Sequence, residues 1–210
     1  VNFMLAQTTP AVTYITSKAE YDAFIAQTGA LKLVINSAKD GAAAVAVEGV
    51  AKTLRKTAQI AVNTQVDDQK VTLLRTFDEP EVVFDGASVT GAALTAFVND
   101  NSLPIIGEIG PHNYKSYVER NLPLVWIFID TEDAAQVKAV EDIKAVAKKY
   151  SKNAVYATLD GKKWASHAKS FGLENATPGL VIEDRTSRKK FAYPAEAITV
   201  ADFEAFMSGF

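Results

Sequence analysis

His167 stands between Ser166 and Ser170, and a histidine beside serines is the first arrangement in this chain that could do chemistry. A hydrolytic triad needs the serine, the base and the group that orients the base to converge from separate elements. One helix carrying all of them does not provide that geometry, so the spacing points away from acyl transfer. His112 is the only other histidine, and two fall short of a His-only metal site. Cysteine is absent, which removes the thiol nucleophile, the disulfide and the Cys-ligated zinc or iron–sulfur centre together. Glu79, Glu81 and Asp85 are loop acids without an Asp-x-Asp-x-Asp calcium pattern and read as solvated. No residue set calls for a cofactor.

Charge is the next candidate. Lys138, Lys144, Lys148, Lys149 and Lys152 fall along one helical segment, interrupted by Glu141 and Asp142. They read either as a solvated face or as a dock for an acidic partner. Arg185, Arg188, Lys189 and Lys190 read as a hairpin that discourages strand pairing at a sheet edge. A net charge of −3 argues against nucleic acid. Hydrophobic residues make up 48% of the chain, but no apolar run reaches the ~20 residues of a membrane span. The chemistry left open is non-covalent binding by apolar surface.

The elements that would position such a surface come in a doubled order. Phe3 to Pro10 has an echo 94 residues later in Phe97 to Pro104, and Tyr21, Phe24 and Ile25 are matched 93 residues on by Tyr114, Tyr117 and Val118. A repeat of this length predicts two copies of one domain. In the first copy, strands are expected at 11–15, 31–37, 60–63, 71–74 and 81–84. Its helices are expected after a Ser17 cap with Glu20 completing a capping box, over 41–56, and after a Thr90 cap. In the second, strands are expected at 105–109, 122–130, 154–159, 179–183 and 189–192. Helices are expected from Gly110-Pro111, over 134–150, around Trp164 to Phe171 ending at Gly172, and after Thr199. The offset between the copies grows from about 95 to 109 between the third and fourth strands. The first copy should therefore lack, or reduce to a turn, the helix around Trp164. The order implies a mixed sheet with parallel crossovers first and a terminal hairpin.

This tandem order, with Asn101-Ser102-Leu103-Pro104 at the junction, resembles the two non-catalytic thioredoxin-like domains (b and b′) of the protein disulfide isomerase family, its fungal or protist members above all. Gly107-Glu108-Ile109-Gly110-Pro111, Leu122-Pro123-Leu124-Val125-Trp126-Ile127-Phe128, Phe171-Gly172-Leu173 and Lys190-Phe191-Ala192-Tyr193-Pro194 carry the likeness. It implies an α/β fold of two tandem thioredoxin-like domains, each a mixed central sheet flanked by helices. Residues 1–8 would be the tail of a preceding domain's last helix, 9–101 domain b, and 102–210 domain b′. The chain would be a piece of something longer. A cis-proline is expected at Thr177-Pro178, in a structural role.

The resemblance also implies a function. The fragment would be redox-inert alone, within a parent that exchanges thiols and disulfides through cysteines found elsewhere. It would bind unfolded or partly folded polypeptides without covalent chemistry and space the flanking redox domains, in the endoplasmic reticulum lumen. A client pocket on the second domain would involve Ile109, Ile127, Ile129, Ile143, Ala157 and Phe171. His167 and Ser170 stand where relatives commonly carry apolar residues, and Ala157 is small, which implies a more polar, weaker pocket. The alternative implied role is an adaptor that docks a lectin-type chaperone through the lysine-rich face.

Overall fold

A computed structural model describes residues 10–29, 31–193 and 196–210. The expected helix tail at 1–8, residues 3–9 of the echo and the Pro194 of the last motif lie outside these. The chain divides between Pro104 and Ile105 into two compact units.

In the first unit the elements are β1 (Thr13–Ile15), α1 (Lys18–Ala26), β2 (Leu31–Asn36), α2 (Ala42–Leu54), β3 (Ala58–Asn63), β4 (Val71–Leu74), β5 (Glu81–Val83) and α3 (Gly91–Asp100). The sheet runs β1-β3-β2-β4-β5. β1, β3 and β2 are parallel, and β4 and β5 are antiparallel additions. Caps start the helices where the sequence places them. Ser17 Oγ accepts from Glu20 N at 3.3 Å, and Glu20 Oε2 accepts from Thr16 N at 2.7 Å. Thr90 Oγ1 accepts from Ala93 N at 3.2 Å. Leu33, Ile35, Ile60, Val62, Val71 and Leu73 face α2 and α3 and form the larger core layer. The opposite face holds a smaller cluster of Ile15, Phe24, Val34 and Ala61 under α1. Between β3 and β4 residues 64–70 form no helix. That link is held by polar contacts instead, with Asn63 Nδ2 donating to Asn36 Oδ1 at 3.1 Å and Asn36 Nδ2 to Asp68 Oδ1 at 3.0 Å.

The second unit repeats the topology with β6 (Ile106–Glu108), α4 (Tyr114–Val118), β7 (Leu124–Ile129), α5 (Ala134–Lys149), β8 (Val155–Asp160), α6 (Ala165–Ser170), β9 (Gly179–Asp184), β10 (Lys189–Tyr193) and α7 (Val200–Ser208). Its sheet order is β10-β9-β7-β8-β6. Side chains alternate across a strand, and β7, buried at all six positions, uses both faces. Val125, Ile127 and Ile129 join Val140, Ile143, Val146 and Ala147 of α5 and Phe203 and Met207 of α7 in the main core. Trp126 and Phe128 point the other way, toward α4 and α6. The extra residues of this copy supply α6, anchored by fully buried Ala168. α6 stops at Gly172, whose φ of +88° suits glycine, with Leu173 N donating back to Ala168 O at 3.2 Å. The peptide bond Thr177-Pro178 is cis.

One helix start differs from the expectation at Gly110-Pro111. α4 begins at Tyr114 because Asn113 ties off the preceding turn. Its Oδ1 accepts from Gly110 N at 2.7 Å and its Nδ2 donates to Glu108 O at 2.9 Å. Pro111 therefore sits in the turn, not in the helix. No helix among the described residues is long and apolar enough to cross a membrane.

The main core of the second unit contains one polar defect. Tyr156 is 2% exposed, and its hydroxyl has no hydrogen-bond partner among the described residues. Burial also pushes the phenol pKa far above its ordinary value, with Tyr150 adding to the effect. An unmade hydrogen bond in the interior costs about 1–3 kcal/mol. Tyr156→Phe is therefore expected to raise the stability of this unit by up to about 1 kcal/mol, read as a higher thermal midpoint. A drop of that size would mean the hydroxyl is satisfied.

Candidate functional site

The face of the second sheet that carries Trp126 is not packed flat. A concavity of about 380 Å³ opens between α4, α6 and the strands. Each wall comes from a different element. The turn after β6 brings Ile109, Gly110 and Pro111, and α4 brings Tyr114. Trp126 on β7 and Leu159 on β8 form the floor, while α6 and its flanks supply Trp164, His167, Ser170 and Phe171. Glu183 on β9 and Lys190 on β10 close the remaining side.

The rings form one connected set around Trp126. Tyr114 stacks on it at 6.4 Å, His167 meets it edge-on at 5.1 Å, and Phe171 lies 5.5 Å away. His167 and Phe171 are themselves 4.5 Å apart. Such contacts between aromatic rings add to the area they bury. The polar groups are few and placed. Trp126 Nε1 donates to Glu183 Oε2 at 3.0 Å. Lys190 Nζ lies 4.2 Å from the centroid of Phe171, a cation–π distance. The His167 imidazole is held below its ordinary pKa, first by burial and also by the Lys190 ammonium, with Glu183 opposing. Neutral imidazole is thus its form at neutral pH, and the wall it makes is largely uncharged.

Of the six residues inferred from the resemblance, Ile109 and Phe171 line this concavity. Ile127, Ile129 and Ile143 lie in the main core on the other side of the sheet. Ala157 is fully buried on β8 and does not reach the lining. Strand alternation excludes Ile127 and Ile129, because Trp126 and Phe128 occupy the face they leave, whereas Ala157, in register with Trp126, lies on the face of the hollow but is covered. Tyr114, Trp126, Leu159, Trp164, Glu183 and Lys190 are among the lining residues outside the six inferred from the resemblance. The available signal was the pair of aromatics two residues apart on the most apolar strand.

The lysine face of α5 is largely neutralised in place. Lys138 pairs with Asp142 at 2.5 Å, Lys144 with Glu141 at 2.8 Å and Lys149 with Glu204 at 2.6 Å. Among the described residues no cluster of three or more His, Asp or Glu could hold a metal ion.

Comparison with known proteins agrees with the duplicated fold. A family model described as a thioredoxin-like domain matches residues 41–209. A protein disulfide-isomerase of Arthroderma benhamiae is 34% identical over 154 residues, 72% of this chain and 29% of that protein. One from Humicola insolens is 28% identical over 220 residues, covering 100% of this chain and 43% of the relative. The chain thus spans less than half the length of these relatives. Among solved structures, the bb fragment of ERp72 superposes with a TM-score of 0.65 at 19% identity, covering 96% of this chain and 97% of that one. The chain, cysteine-free throughout its 210 residues, belongs to the thioredoxin-like domain family and is a sequence relative of the fungal protein disulfide isomerases.

Proposed function

We propose that the second unit binds unfolded or partly folded polypeptide segments, without covalent chemistry, in the concavity around Trp126. The observation that carries this reading is an open, ring-lined hollow of about 380 Å³ in a fold with no thiol of its own. That volume lies within the range of ligand-binding pockets and suits one bulky apolar side chain. Ile109 and Phe171 contact the client directly. Ile127, Ile129, Ile143 and Ala157 act only by shaping the sheet beneath. Within a longer protein disulfide isomerase of the endoplasmic reticulum, the chain would hold clients beside redox domains and set the spacing between them. Binding there raises the effective concentration of client near the reactive thiols. Docking of a lectin-type chaperone on the α5 lysines has less support, because three of those lysines already hold carboxylates of this chain.

The chain contains two tryptophans, and both line the concavity. Intrinsic fluorescence therefore reports on this site. Titration with short peptides bearing single aromatic residues is expected to shift Trp emission with dissociation constants of about 10–1000 µM, roughly −7 to −4 kcal/mol. No change in emission, together with no heat of binding by calorimetry, would defeat the reading.

A further inference from the structure

Glu183 and Lys190 are cross-strand partners in the β9–β10 ladder, and both line the concavity. Opposite charges placed this way ordinarily pair. Among the described residues no ion pair joins them. The Glu183 carboxylate turns to the Trp126 N–H, which occupies Oε2, and its other oxygen has no partner among the described residues. The Lys190 ammonium turns to the ring face of Phe171. The hollow thus presents, within one ring-lined wall, an acceptor with spare capacity and a donor with spare hydrogens.

A charged client side chain would satisfy one of these groups and be repelled by the other. A phenol hydroxyl both donates and accepts. It could give its proton to Glu183 and take one from Lys190 while its ring sits among Trp126, His167 and Phe171. An indole N–H could serve only Glu183, and phenylalanine or leucine neither. We infer that the concavity is selective for tyrosine side chains of the client, with Glu183 and Lys190 as the specificity-determining residues. This rests on the client-binding reading above and adds to it which side chain is preferred. A site built to hydrogen-bond a hydroxyl discriminates against the analogue that lacks it more strongly than an apolar pocket can.

The test uses one host peptide of alanine, serine and glycine with a single central tyrosine, phenylalanine, leucine or O-methyltyrosine. Binding to the full chain is measured by calorimetry. Tyrosine is expected to bind about tenfold tighter than phenylalanine, as a hydrogen bond to a charged group predicts. O-methyltyrosine, which keeps the ring and the acceptor for Lys190 but not the donor to Glu183, is expected to lose most of that preference and bind between phenylalanine and tyrosine. Glu183→Gln keeps the side chain's shape and an oxygen for Trp126, and is expected to bring tyrosine to within about twofold of phenylalanine. Equal affinities for tyrosine and phenylalanine in the unaltered chain would overturn the selectivity and leave the client-binding reading in place. So would an undiminished preference in O-methyltyrosine or in Glu183→Gln. Binding of none of the four peptides would overturn the underlying reading and this inference with it.

Discussion

Phe203→Ala is expected to unfold the second unit preferentially, lowering its stability by about 3–5 kcal/mol. Phe203 is fully buried on α7, with its ring 6.0 Å from that of Tyr156 across the main core. Truncation removes the apolar transfer energy and leaves a cavity that close-packed neighbours cannot refill. A domain of this size has about 5–15 kcal/mol in total, so the loss is a large share of it. The core around Phe203 and the core around Leu33 share no residue. The effect should therefore be confined. Both tryptophans belong to the second unit, so fluorescence follows that unit, while far-UV circular dichroism follows both. In urea the fluorescence midpoint of Phe203→Ala is expected to fall by about 2 M or more, given a slope of roughly 1–2 kcal/mol per M. The dichroism should keep a transition at the midpoint of the unaltered first unit. Leu33→Ala, at a fully buried position of β2, should do the reverse. Coincident transitions by both probes in all three proteins would show one cooperative body and refute the independence of the units.

The duplication and the element order were open to reading in the sequence because they rest on local signals. Ser17, Thr90 and Thr199 each sit where a cap is needed, and each side chain accepts a backbone N–H of its own helix. The unbroken run Leu124 to Ile129 marks a strand covered on both faces, as found. That same run conceals the site. A strand apolar at every position carries no alternation to say which face is packed by long helices and which faces a hollow. The answer depends on α6, whose six residues cover only part of the sheet face. The start of α4 was missed for a related reason. Pro111 suits a first helical turn, but the Asn113 side chain bonds both Gly110 and Glu108 and spends that turn on a loop. Lys190 reads as an edge charge and Glu183 as the end of a strand, since their meeting with Trp126 and Phe171 is a long-range contact that spacing along the chain does not encode.

Affinity for apolar peptides is expected to fall by up to about tenfold when the pH drops from 7.5 to 5.5, and His167 is the group responsible. Its imidazole packs against Trp126, Phe128 and Phe171, and the titratable or charged groups lining the same hollow are Glu183 on β9, Lys190 on β10 and Tyr114 on α4. Burial already holds its pKa below the usual histidine value of 6.5, with Lys190 adding and Glu183 opposing. An apolar ring seated in the hollow removes more water from the imidazole and lowers that pKa further. Binding below the free protein's His167 pKa must therefore expel a proton, and affinity falls by up to about tenfold per pH unit. Above about 6.5 the imidazole is neutral with or without ligand, so affinity is flat there. The folded chain follows the same sign. A lowered histidine pKa contributes stability that is whole above the unfolded value near 6.5 and is lost as the pH falls below it. The lowered pKa values of Asp68, Asp130 and Asp184 act only nearer the ordinary carboxylate range, below this window. His167→Leu removes the titration while keeping an apolar side chain at the position, so its affinity should show no slope between pH 7.5 and 5.5. It should also match or exceed the unaltered chain at pH 7.5, because a leucine has no polar edge to desolvate. The competing physics is attraction of an imidazolium to the faces of Trp126 and Phe171 and to Glu183. Were that the larger effect, acid would strengthen binding, and a rise in affinity on acidification would reverse the role assigned here to His167.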